Sequence, residues 1–110
     1  MKAQKSFFVI AIAILLLLAG CKKETKSESI DSLVEQCLQA CQQALTNNIS
    51  LEHGPCLLDP IPLSDYVCDI AHWPRQAIDN SRENQCNAWY NKTATHFIEL
   101  TPECKFIRAL

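Results

Sequence analysis

Apolar positions fall into three kinds of run along this chain, and each kind predicts a different element. The first is a block of 13 residues from Phe7 to Ala19 with no polar side chain at all. The second is periodic. Ile30, Leu33, Val34, Cys37, Leu38, Cys41, Ala44 and Leu45 recur at helical spacing, while Glu35, Gln36, Gln39, Gln42 and Gln43 take the other side. This predicts an amphipathic helix from Ile30 to about Asn47, with Ser32 and Glu35 compatible with a capping box and Asn47-Asn48 as a stop. The third kind comprises short segments rich in β-branched and aromatic residues. Tyr66 to Trp73 is one, closed by Pro74; Cys86 to Tyr90, Thr95 to Leu100 and Cys104 to Ala109 are three more, with Asn91-Lys92 and Thr101-Pro102-Glu103 as turns. Between helix and strands, Gly54-Pro55, Pro60 and Pro62 break regular structure. The polar stretch Arg75 to Gln85 predicts a surface loop. The fold class expected is α+β: one N-terminal amphipathic helix packed on a small antiparallel β-meander.

The apolar block lies behind a basic start, Lys2 and Lys5, and ends in Leu18-Ala19-Gly20-Cys21. That layout is a secretory signal, and the four residues resemble the lipobox of prokaryotic lipoprotein precursors. The block is too short to span a bilayer, which takes about 20 apolar residues. The resemblance covers residues 1–21 only. It implies a signal peptide over 1–20, cleavage before Cys21 and lipid on that cysteine. Stable attachment then implies more than one acyl chain. Residues 21–29 form the lipidated cysteine and a disordered tether, since Lys22 to Ser29 contains no apolar residue and reaches at most about 29 Å. Residues 30–110 form the domain. The resemblance places it in the cell envelope, on the external face of a membrane, and the lysine after Cys21 resembles the signal for the outer membrane where the host has one.

Cleavage removes two lysines and leaves eight basic residues against twelve acidic ones. Nucleic acid is therefore an unsuitable partner, because phosphate binding needs clustered cations. Cysteine use changes the picture more. With Cys21 assigned to lipid, Cys37, Cys41, Cys56, Cys68, Cys86 and Cys104 remain, an even set in a short exported chain, which predicts about three disulfides. Residues four apart on a helix hold their Cβ atoms roughly 5 to 6 Å apart, wider than a disulfide allows, so Cys37 and Cys41 should bond forward to later cysteines. Proximity in sequence suggests Cys41 with Cys56.

Candidate chemistry is sparse. One glycine, Gly54, follows the lipobox, so no phosphate-cradling or dinucleotide-binding loop can form. Cys68 and His72, with His53, Cys56 and His96, offer metal-ligand types, but no Cys-x-x-Cys pair is present, and neither a metal nor another cofactor is expected. No catalytic residue is assigned. Asp69, His72, Arg75, Asp79 and His96 could form an acid and base group; the alternative is that Arg75 pairs with Asp79 or Asp69 to order the loop. His72, Trp73 and Arg75 form the candidate binding surface, with Trp89 and Tyr90 as further aromatics, since Trp, Tyr and Arg dominate interface hot spots. Two sequons, Asn48-Ile49-Ser50 and Asn91-Lys92-Thr93, fall at expected loops.

Beyond the lipobox, the run from Cys68 through Cys86 to Cys104-Lys105-Phe106-Ile107-Arg108 is similar to uncharacterised small cysteine-rich exported proteins of archaea and bacteria, a resemblance that implies no activity. The expectation is a lipid-anchored binding module with a protein or glycan partner in the envelope. The alternatives are a small envelope enzyme using His72, His96 and Asp69, and a purely structural lipoprotein.

Overall fold

The computed structural model of the protein describes residues 29–110; the segments expected as signal peptide and lipobox, and nearly all of the expected tether, lie outside them. The domain is α+β, with one long helix and a four-stranded sheet. Helix α1 (Ile30–Thr46) starts at Ser29, whose hydroxyl accepts the Ser32 amide, so the cap lies three residues earlier than the Ser32 expected from sequence. It buries Leu33, Cys37, Cys41 and Ala44. Among the described residues no helix is long and apolar enough to cross a membrane.

The strands are β1 (Cys56–Leu58), β2 (Tyr66–Ile70), β3 (His96–Leu100) and β4 (Phe106–Ala109), side by side in that order. The pairs β1/β2 and β3/β4 are antiparallel, but β2 and β3 are parallel, which corrects the expected all-antiparallel meander. Parallel neighbours need a crossover that carries the chain back to the starting edge. Here it runs from Ala71 to Thr95 through two 3-10 turns, Ala77–Asn80 and Arg82–Asn84, and the short helix α2 (Asn87–Tyr90). Cys86–Tyr90, expected as a strand, is therefore a cap residue and a helical turn. Its cause is remote: the Asp59 carboxylate accepts the amides of Asn87 and Ala88 at 2.8 and 2.7 Å and fixes a helical start.

Strand alternation divides the sheet into two unlike faces. Cys68, Ile70, Ile98 and Leu100 point to α1 and form the main core with Leu33, Leu51 and Ile61. Val67 and Phe97 point to the other side and pack with Cys86, Ala88 and Ala94 of the crossover. The disulfides bind both layers to the sheet. Cys37–Cys68 and Cys41–Cys104 hold α1, so both helical cysteines bond forward as their spacing requires. Cys56–Cys86 ties the crossover to β1; Cys56 does not pair with Cys41, because the parallel topology returns Cys86 to β1 after the chain has left it.

Candidate functional site

The second face of the sheet is apolar at one end and charged at the other. Past Val67 and Phe97 on the same face come Asp69 and Glu99, directly opposite one another on the parallel pair, and Arg108 opposite Glu99 on β4. The crossover lies over this end and leaves a cavity of about 170 Å³, lined by Asp69, Glu99, Arg75, Arg108, Gln85 and Trp89 among others. That volume lies below the roughly 300 Å³ of ordinary ligand pockets, so it suits a small group or the end of a larger one.

Glu99 is 4% exposed and uses both carboxylate oxygens. Arg75 Nη1 donates to Oε2 at 3.0 Å, and Arg108 Nε donates to Oε1 at 2.7 Å. Arg75 Nε donates to Asn80 at 3.0 Å, and the Arg108 guanidinium lies 5.3 Å from the Phe97 ring centre. Asp69 is the contrasting carboxyl. Its Oδ1 is buried with no hydrogen-bond partner. Loss of water, followed by the charge of Glu99, pushes the group up to about 8 from an ordinary 3.8, against weaker opposition from the Ile70 amide and Arg75. Two facing carboxyls with such different partners have different tasks open to them: one fixes guanidinium groups, the other can carry a proton at neutral pH.

Asp79 builds the roof. It accepts the amides of His72 and Gln76 at 3.0 and 2.9 Å and meets His72 Nδ1 at 2.8 Å. Burial alone would raise its pKa, but the bonds from Gln76 and His72 outweigh that and lower it. Gly54 makes room for this carboxylate. It sits at φ +70, and a Cβ there would stand 2.8 Å from Asp79 Oδ1.

The acid and base group considered from sequence is thus divided. Asp69 and Arg75 line the cavity, and His72 is tied to Asp79 at its edge. Arg75 pairs with Glu99, not with Asp79 or Asp69. His96 belongs elsewhere, three positions before Glu99 and so roughly 10 Å away along the strand. It stacks on Tyr66 and bonds Asp65, whose carboxyl is lowered chiefly by the Thr95 hydroxyl and then by His96. Cys68 and Cys56 are both in disulfides, so neither offers a thiolate to the histidines. Asp59 also lies close to the sulfurs of Cys56 and Cys86, in a group held by that disulfide.

Trp73 projects from the crossover 72% exposed, two residues before Arg75. Trp89 is partly exposed and meets Phe97 edge-on at 4.9 Å, and Arg82 covers the Tyr90 ring at 3.8 Å. Glu99 and Arg108 were not singled out from sequence. Their signal is a lone charge inside each strand pattern, Ile98-Glu99-Leu100 and Ile107-Arg108-Ala109, but only the parallel register places Glu99 beside Asp69.

No protein-family model, no curated protein and no solved structure matches this chain. The fold therefore supplies no analogy from which a function could be borrowed.

Proposed function

We propose that the chain is a lipid-anchored binding domain of a prokaryotic cell envelope, held by lipid on Cys21 and engaging an envelope partner through His72, Trp73, Arg75 and the crossover around them. The observation that carries this reading is the pairing of an exposed tryptophan with a half-exposed guanidinium anchored on a buried carboxylate. Trp73 offers a large ring to solvent, and Arg75 joins it to a polar cavity in the same short stretch. This combination suits recognition, since Trp and Arg contribute most where they enter a partner's surface. The layering supports it as well. Helix α1 lies on one face of the sheet, and the crossover lies on the other. Three disulfides would keep this face in shape outside the cytoplasm, where little other reinforcement is open to so small a domain.

An enzymatic reading has one observation in its favour, the high pKa of Asp69. Against it, His96 stands apart from Asp69, and His72 is committed to Asp79.

Sedimentation with isolated envelopes tests the binding reading. With residues 1–20 exchanged for a signal peptide that is cleaved without lipidation and Cys21 changed to Ser, the mature chain is expected to sediment, and Trp73→Ala is expected to weaken this at least tenfold. Retention that depends on Cys21 alone would reduce the protein to its anchor.

A further inference from the structure

The cavity under the crossover has more to give a ligand than it uses. Its unspent capacity is almost entirely of one kind. Glu99 has no oxygen to spare, and Asp79 is occupied by His72 and Gln76. Both arginines, in contrast, retain donors. Arg75 Nη2 and both Nη atoms of Arg108 make no hydrogen bond among the described residues, and each guanidinium carries five N–H groups in a rigid fork. Asp69 lines the same cavity, with its Oδ1 buried and unpartnered behind the carboxyl's open side. A donor-rich cavity selects an acceptor. The apolar side of the lining, Val67, Phe97 and Trp89, selects a ligand with a short hydrocarbon part.

Building on the binding reading above, we propose that this cavity takes a small organic carboxylate. The ligand's oxygens accept from the free guanidinium N–H groups of Arg75 and Arg108 and from the Asp69 carboxyl, and its apolar portion lies against Phe97 and Trp89. Arginine suits this task because its fork matches a carboxylate in plane and spacing. The same chemistry is presented by a free short-chain acid and by the C-terminus of a peptide, and the open mouth admits either.

The charges around Asp69 give the site a pH dependence of known sign. Glu99 lies beside it on β3, Arg75 and Asp79 act on it from the crossover, and Arg108 of β4 lines the same cavity beyond Glu99; His72 is bonded to Asp79, and β1 opposes Asp69 with the disulfide-bonded Cys56. With Asp69 protonated, the formal charges of Arg75, Arg108, Glu99 and Asp79 cancel, and the carboxyl donates to the ligand. Ionised, it adds a negative charge and loses its donor. Binding is therefore full at neutral pH, where the ligand is ionised and Asp69 protonated, and declines as pH rises through the Asp69 titration, which falls at about 8.

The test is a titration of the full-length protein in detergent micelles, read from the side-chain N–H signals of Arg75, Arg108 and Trp89. Sodium propionate is expected to give saturable shifts at neutral pH, with affinity falling about tenfold per pH unit above the Asp69 titration. Arg108→Lys, which keeps the charge but loses the fork, is expected to weaken propionate at least tenfold; intact mass showing six oxidised cysteines verifies its fold. N-acetylalanine tighter than propionate identifies a peptide terminus as the source, and the reverse identifies a free acid. Phosphate binding as well as propionate, methylammonium shifting the same signals, or no response to any probe would overturn the carboxylate assignment. If envelope sedimentation still depends on Trp73 in that event, only this assignment falls; if that dependence is absent too, the binding reading falls with it.

Discussion

Replacing Asp69 by asparagine removes the one carboxyl whose proton is held mainly by burial, and its effect on stability has a calculable sign and size. The folded-state pKa is raised from 3.8 to about 8. Below about pH 4 the group is protonated in both folded and unfolded chains, and its titration leaves stability unchanged. Between about 4 and 8 the unfolded chain ionises while the folded one holds its proton, so stability falls as pH rises and levels off once Asp69 ionises in the folded state. At 1.36 kcal/mol per unit, the cost at pH 7 is about 4 kcal/mol as an upper bound. Relaxation and water entry reduce it, and about 2 to 4 kcal/mol is the expected range. Asparagine keeps the shape and a donor but cannot ionise. The stability of Asp69→Asn relative to the parent should therefore shift in the variant's favour by about 2 to 4 kcal/mol between pH 4 and pH 7. Guanidinium denaturation with disulfides intact, repeated across that range, reads the difference directly. Asp79 and Asp65, both lowered, lose their contributions only on acidification and do so equally in the two proteins. Parallel pH profiles for parent and variant would show that the Asp69 carboxyl is not held protonated by burial.

Other parts of the account are open to single changes. Cys41→Ser with Cys104→Ser opens a link between residues 63 apart and should cost about 4 kcal/mol by chain entropy, read as a lower denaturation midpoint. Gly54→Ala puts a methyl group against the Asp79 carboxylate at a positive φ and should destabilise by about 1 to 3 kcal/mol, with faster amide exchange at His72 and Gln76. Asp59→Ala strips the start of α2 of its acceptor, so the Asn87 and Ala88 amides should lose protection, at a cost of about 1 to 2 kcal/mol. Trp73→Ala should leave the unfolding free energy within about 0.5 kcal/mol of the parent's, read by denaturant titration, because an exposed ring contributes little to folding.

What could be read without the structure was what periodicity encodes. The 3.6-residue recurrence from Ile30 to Leu45 located α1 and put Cys37 and Cys41 on its buried side, which already forbade their joining. Tyr66–Ile70 and His96–Leu100 were legible as strands from their residue types. Topology was not legible. Alternation is the same in parallel and antiparallel strands, so nothing in Tyr66-Val67-Cys68-Asp69-Ile70 tells which way β3 runs beside it. The candidate site suffers most from this, because Asp69 and Glu99 are 30 positions apart and meet only through the parallel register. The Cys56–Cys86 bond and the helical turn at Asn87 were hidden for the same reason, since each depends on a partner about 30 residues away. Arg75 was read within its own loop, where Asp79 is nearest in sequence, while its actual partner Glu99 lies 24 residues on. Trp73 was recognisable as exposed from the Pro74-Arg75 that follows it.

The measurement that bears most directly on the account is the titration of the Asp69 carboxyl carbon in the full-length protein by NMR, with and without propionate. A midpoint near 8 is expected in the free protein, moved higher by propionate because the ligand favours the protonated carboxyl. A midpoint close to the ordinary 3.8, or one that propionate leaves in place, would contradict it.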